Sequence, residues 1–261
     1  FTLGLLCCGL IFIISGCFVG TDKIINTYML ENVLQTAKNF EGTNDDWIPF
    51  EYTFDGVPMV LVPAGCFMMG SDDGEWDEVP VHEVCFENPF WIDKYEVTNE
   101  QFGSIGCQDY SSAPNQPRNC VDWLEAYEFC VSRSARLPTE TEWEYAARGA
   151  DSLRYPWGNI WEEANAINAY NSASTTAEVG SILEGSSWVG ALDLSGNVWE
   201  WTSSKNWDYP YVSTDGREIV DQVSGRGRQI RGGSWNNGSD YLRSANRGGY
   251  DRIIAEERGL R

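Results

Sequence analysis

Histidine is almost missing from this 261-residue chain: His82 stands alone. That excludes a zinc or iron centre built on several imidazoles within the chain, and leaves one residue for the base of a Ser-His-Asp triad. Its setting, Val81-His82-Glu83-Val84, alternates apolar and polar side chains and predicts a surface strand residue. Basic side chains are scarce as well, 18 Lys and Arg against 39 Asp and Glu, for a formal charge of −21. A field of that sign repels polyanions, which argues against nucleic acid as a partner; it suits divalent cations and basic proteins, or serves solubility alone. No Cys-x-x-Cys pair occurs in the globular part, which argues against a zinc knuckle or a thioredoxin-like site. No internal repeat is evident.

Charge is absent altogether from residues 1–20, the first charged residue being Asp22. About 20 apolar residues is the length that crosses a bilayer, longer than the apolar core of a signal peptide. The segment is therefore expected to be a retained transmembrane anchor. Gly4, Cys8, Ser15 and Gly16 are its small residues, suited to close packing against other membrane helices. The rival is a lipobox, Ile14-Ser15-Gly16-Cys17, with Cys17 as a lipidated first residue. The chain does not begin with Met, so further N-terminal residues are expected, and orientation cannot be read from flanking charge.

Helical spacing at Ile24, Ile25, Tyr28, Met29, Val33, Leu34 and Ala37 continues the anchor as a stalk, and Glu41 to Asp46 reads as a linker. The expected division is 1–20 anchor, 21–46 juxtamembrane helix and linker, 47–261 globular domain. Within that domain Met59 to Ser71 reads as strand, turn, strand, and an acidic loop holds Asp72, Asp73, Glu75, Asp77 and Glu78. Thr98 or Asn99 caps a short helix. Trp123, Ala126, Phe129 and Cys130 share one helical face. Thr139 with Glu142 forms a capping box on a second helix, which Gly149 ends. The abundant aromatics (12 Trp, 12 Tyr, 11 Phe) and 26 Gly predict a loop-rich domain with aromatic pegs, not a bundle.

Several separated motifs carry a resemblance. They are Val62-Pro63-Ala64-Gly65 with Met69-Gly70, Tyr95-Glu96-Val97-Thr98-Asn99, Arg136-Leu137-Pro138-Thr139-Glu140 and Tyr155-Pro156-Trp157-Gly158-Asn159. Leu192-Asp193-Leu194-Ser195-Gly196-Asn197-Val198-Trp199-Glu200-Trp201 and Arg231-Gly232-Gly233-Ser234-Trp235-Asn236-Asn237 complete the set. In this order they resemble the formylglycine-generating-enzyme, or sulfatase-modifying-factor, family. The resemblance runs from about Met59 to Arg261. It implies an α+β domain of the C-type-lectin-like group, with few short strands and helices and many loops, here preceded by one transmembrane helix. Glu257 to Arg261 resembles the family's closing Gly-Phe-Arg segment, which implies that the chain continues.

The resemblance also sets expectations for the site. The family's enzymes oxidise a substrate cysteine with oxygen on a copper ion held by two cysteines, because soft Cu(I) takes thiolates. The matching positions carry Asn237 and Leu242, so no copper and no such oxidation are expected. The related iron-dependent sulfoxide synthases, which need several histidines, are excluded with them. Family calcium binding maps onto Asp193, Gly196, Val198 and Glu200, hard oxygen donors around a bend; the alternative is that the two acids only cap the loop. A second, degraded calcium set maps onto Asn168, Ala169, Asn171 and Ala173. The pocket left by the lost active site would be lined by Trp235, Asn236, Asn237, Asp240, Tyr241 and Arg247.

Cys66, Cys85, Cys107 and Cys120 are expected to form at least two disulfides in an extracytoplasmic, oxidising compartment. Cys66 and Cys85 lie in two strands read as neighbours, and Cys107 and Cys120 bracket a Pro-containing loop. Cys130 resembles a family position whose partner lies past Arg261. The functional expectation is an anchored, non-catalytic accessory subunit of an integral membrane complex, such as an electron-transfer complex. The alternatives are a peptide- or sugar-binding protein using the vestigial pocket, and an enzyme with a displaced mechanism.

Overall fold

The computed structural model describes residues 29–220, 227–248, 258–259 and 261. The expected anchor at 1–20 and the lipobox cysteine lie outside these residues; no described helix is long and apolar enough to cross a membrane.

Eight short strands, four helices and several 3₁₀ turns make up the described chain. Helix α1 covers 29–38. Strands β1 (Glu51–Phe54), β2 (Val57–Val62) and β5 (Phe90–Asp93) form an antiparallel sheet in the order β1-β2-β5. Strands β3 (Gly65–Met69) and β4 (His82–Phe86) form a two-stranded sheet with Cys66 directly opposite Cys85. Strands β6 (Trp199–Lys205), β7 (Arg228–Arg231) and β8 (Arg258–Gly259) form a third sheet in the order β7-β6-β8, with β8 parallel to β6. Helices α2 (Asn99–Phe102), α3 (Trp123–Ser132) and α4 (Glu140–Arg148) lie between them in sequence.

The helix starts follow the local chemistry read from sequence. Thr98 accepts from the Gln101 N–H, and Thr139 accepts from the Glu142 N–H while Glu142 returns the bond to Thr139. Each box satisfies amide donors that a helix start leaves without an intrahelical partner. Trp123, Ala126 and Cys130 are buried, as their shared face requires. The disulfides Cys66–Cys85 and Cys107–Cys120 are present.

One expected boundary moves. Residues 29–46 are part of the globular body, not a free stalk and linker. Val33 and Leu34 pack on the main core, Ala37 is wholly buried, and the Ala64 N–H donates to the Ala37 carbonyl at 2.9 Å. The supposed linker is tied down too: Asn44 Nδ2 donates to the Arg148 carbonyl at 3.0 Å, and its backbone N–H to Asp151 at 3.1 Å. The apolar stripe that suggested a helix finds its cover in the domain itself.

Helix α4 is the axis of the interior, with every residue from Glu140 to Arg148 buried. Trp143, Tyr145, Ala146 and Ala147 join the main core with Leu61, Phe67, Met69 and Trp188. A second core gathers α3 residues with Trp199, Trp201 and Ile230. The acids of α4 are tolerated because arginines meet them. Arg231 reaches Glu140 at 3.0 Å and Glu144 at 2.5 Å, Arg148 reaches Glu144 at 2.8 Å, and Arg247 reaches Glu140 at 2.7 Å. A buried carboxylate without such partners would cost several kcal/mol, on the order of 3–5 when one partner is removed.

Candidate functional site

The two motif stretches of the C-terminal half meet at the end of β6. The bend at Ser195-Gly196-Asn197 is pinned from both sides: Gly196 N–H donates to Gly232 O at 2.9 Å, and Asn197 N–H to Ile167 O at 3.0 Å. Gly196 has φ +90°, and a Cβ there would sit 2.1 Å from the Ile167 carbonyl, so only glycine fits. The Trp235 N–H then donates to Asn197 O at 2.8 Å, which sets the second stretch against the first.

The two positions expected to match the family's copper cysteines, Asn237 and Leu242, are given over to the fold. Asn237 Oδ1 accepts from Ser234 N–H and from Ser234 Oγ, each at 2.9 Å, and the Asn237 N–H returns to Ser234 O at 3.0 Å. It closes a turn as a side-chain acceptor. Leu242 is wholly buried, and its carbonyl accepts from Ser195 Oγ. An amide and an alkyl group do not make a thiolate pair for Cu(I), so the residues present do not fit copper. Four described cysteines are in disulfides, and Cys130 is buried with its thiol pushed up to about 12, chiefly by that burial. His82 is spent structurally: its Nε2 accepts from Tyr211 N–H at 2.8 Å, and its Nδ1 lies 2.8 Å from Pro80 O.

The expected pocket residues do not act as one group. Trp235 is 5% exposed and stacks at 5.2 Å on Tyr110, with its Nε1 lacking a partner. Asn236, Asp240 and Tyr241 are exposed beside it in sequence. Arg247 is turned inward instead, donating from Nε to Glu140 and from its terminal nitrogens to Asp77 O and Trp207 O, each at 2.7 to 2.8 Å. It belongs to the ionic network of α4. Tyr110 was not anticipated; its signal is its place in the loop closed by Cys107–Cys120.

The loop expected to bind calcium is a buried cluster of acids. Asp193 Oδ2 accepts from Gly180 N–H at 2.6 Å. Glu200 holds Trp143 Nε1 at 2.7 Å and Arg261 Nε at 2.9 and 3.0 Å. A third acid, Glu96, accepts from Val198 N–H at 3.0 Å and Asn197 Nδ2 at 2.6 Å. Sequence reading missed its role, although it lies inside the Tyr95-Glu96-Val97-Thr98-Asn99 motif. Burial pushes the Asp193 carboxyl up to about 6, and burial with the charges of Asp193 and Glu200 pushes Glu96 well above the carboxylate range. Among the described residues, three acids thus face one guanidinium. Hard oxygen donors with surplus negative charge fit a hard cation, although Glu200 is already shared with Arg261.

The second set differs. Asn168 and Asn171 both donate from Nδ2 to the carbonyls of Glu163 and Ala166, at 2.8 to 2.9 Å. The loop closes on its own amides, placing donors where a cation needs acceptors.

Comparison with known proteins agrees with this geometry. The family described as "Sulfatase-modifying factor enzyme 1-like domain" matches residues 51–261. The chain is 32% identical over 222 residues to "Serine/threonine-protein kinase Pkn1" of Chlamydia trachomatis, covering 72% of this chain and 35% of that one. It therefore spans about a third of the length of the first curated relatives it matches. A formylglycine-generating enzyme of Mus musculus is 29% identical, covering 68% of this chain and 66% of the relative. An "Inactive C-alpha-formylglycine-generating enzyme 2" of Bos taurus is 31% identical, covering 69% and 76%. Among solved structures, PvdO from Pseudomonas aeruginosa superposes with a TM-score of 0.68 at 27% identity, covering 85% of this chain and 98% of that one.

Proposed function

We propose that this chain, which belongs to the sulfatase-modifying factor enzyme 1-like domain family, is a non-catalytic recognition module on a membrane anchor. The observation that carries the reading is the use of Asn237 as a turn-closing acceptor and of Leu242 as a core side chain, at the positions where copper chemistry needs thiolates. One related protein is itself named inactive, which supports the reading, while others in the family are named as enzymes.

In this reading residues 1–20 hold the domain at a membrane and the domain contacts other subunits of an integral membrane complex. The two disulfides support an extracytoplasmic, oxidising side for the domain in this reading. Calcium is proposed at the loop of Asp193 and Glu200, with the carbonyls of Gly196 and Val198 as further donors. Bound there, the ion supplies positive charge to an over-acidic cluster and no reaction step. Asp193 and Glu96 orient the bend, Glu200 fixes Trp143 and Arg261, and together they hold the Trp235 stretch in place.

A second reading has its own support. Among the described residues the buried Trp235 Nε1 has no partner, and its ring stacks on Tyr110. In this reading a peptide or sugar sits over this aromatic pair, next in sequence to the exposed Asn236. Native-membrane co-purification separates the two. Stoichiometric partners retained in mild detergent support the subunit reading. A lone monomer that binds an immobilised peptide or glycan, and loses it on Trp235→Ala, supports the second.

A further inference from the structure

A small polar cavity of about 310 Å³ lies away from the Trp235 platform, bounded by Ser71, Asp73, Arg148, Arg154, Asn159 and Arg243 among others. Three guanidiniums around one small cavity is unexpected in a chain with 18 basic and 39 acidic side chains. Two of them are held from behind. Arg243 donates from both terminal nitrogens to Glu78 at 2.6 Å, and Arg148 is fixed by Glu144 at 2.8 Å. The first pair packs closely on Gly74, where a Cβ would lie 2.6 Å from Arg243 Nη1 and closer still to Glu78, so a side chain there would have to displace the pair.

The charge count of the interior behind the cavity is uneven. Arg148, Arg231, Arg243 and Arg247 face Glu78, Glu140 and Glu144, with every one of these side chains at 8% exposure or less. Among the described residues one positive charge is left over in this network, where desolvation makes it costly. Of the further carboxyls, Asp77 is pushed up by its own burial, and Asp73 and Asp240 act on Arg243 from exposed positions, so they offset it incompletely. The exposed acids Asp72 and Glu75 are screened by water and salt. At the cavity mouth, Asp73 already behaves as an oxyanion: it accepts from Ser71 Oγ and from Arg154 Nη1 at 2.6 Å, while its side chain is 71% exposed.

We propose that this cavity binds a small oxyanion, a phosphate or carboxylate group, which displaces Asp73 from Ser71 and Arg154 and is held by Arg154, Arg243 and Asn159. Asp73 is then the internal occupant that the ligand replaces. Guanidinium forks are the donors best matched to either oxyanion, and the bonds are charge-assisted.

The test is calorimetric titration of the whole chain with inorganic phosphate and with acetate, with chloride as the control. One site that saturates with phosphate or with acetate is expected, weakening with salt. Phosphate alone points to a phosphorylated ligand, and acetate to a carboxylate. Asp73→Asn should bind at least threefold tighter, because the internal competitor loses its charge. Arg154→Gln should bind at least tenfold weaker. Both positions are at the surface, and unchanged circular dichroism confirms that the variants fold. The proposal is overturned if neither anion saturates, or if Arg154→Gln binds as the parent does.

Discussion

Replacing Asp193 by Asn should stabilise the calcium-free domain at neutral pH. Burial raises the Asp193 carboxyl from 3.8 to about 6, even though Gly180 and Arg261 favour its charge. A native value above the unfolded one means that the folded state binds more protons between pH 4 and 6. Stability therefore falls as pH rises through that window. Two pKa units at 1.36 kcal/mol each make the penalty about 3 kcal/mol above pH 6. The amide removes the charge and its oxygen still accepts from Gly180. Relief also reaches Glu96, whose carboxyl Asp193 helps to push up. Urea denaturation in chelator at pH 4, 5, 6 and 7.5 reads the difference directly. Asp193→Asn should gain about 2–3 kcal/mol at pH 7.5 and nothing at pH 4. Calcium should close the gap: the parent gains stability with added ion, by about 2.7 kcal/mol at a hundredfold excess over Kd, and the variant, one charge poorer, gains less. Equal stability of parent and variant at pH 7.5, or a difference independent of pH, would refute the reasoning.

Other expectations follow from the interior. Glu140→Ala strands Arg231 and Arg247 without their shared carboxylate and should cost about 3–5 kcal/mol, read as a lower urea midpoint. Arg247→Ala should be destabilising to a similar degree while leaving ligand binding at the Trp235 platform unaltered in any variant that still folds. Opening Cys66–Cys85 or Cys107–Cys120 by paired serine substitution should cost about 2–4 kcal/mol each, measured by thermal melting, since each closes a loop of fewer than twenty residues between its cysteines. Ala37→Asp should destabilise the whole domain cooperatively; a separate, early transition for α1 would show that it is a stalk after all.

Local chemistry made much of this fold legible. The capping residues Thr98 and Thr139, the alternation around His82 and the strand pair carrying Cys66 and Cys85 rest on contacts within a few residues or between neighbouring strands. What escaped was long-range and polar. Helix α4 reads as Glu-Thr-Glu-Trp-Glu-Tyr, which resembles a surface helix until Arg231 and Arg247, about a hundred residues on, bury its acids. Arg247 was assigned to a pocket for the same reason: nothing near it in sequence announces Glu140. The stripe of Val33, Leu34 and Ala37 correctly indicated a helix but not its cover, since a stalk and a docked helix share one periodicity. Of the buried acidic cluster, Asp193 and Glu200 were legible from the motif, whereas Glu96 and Arg261 come to it through the fold.

In the proposed reading Asn237 and Leu242 leave no thiolate pair for copper chemistry. Anaerobic titration with Cu(I) against a competing chelator, followed by admission of oxygen and a cysteine-containing sulfatase peptide, tests it most directly. The account predicts no stoichiometric Cu(I) complex at this site and no aldehyde in the peptide, with Cu(I) capture gained only by the Asn237→Cys, Leu242→Cys double variant. Aldehyde formed by the unaltered chain would contradict it.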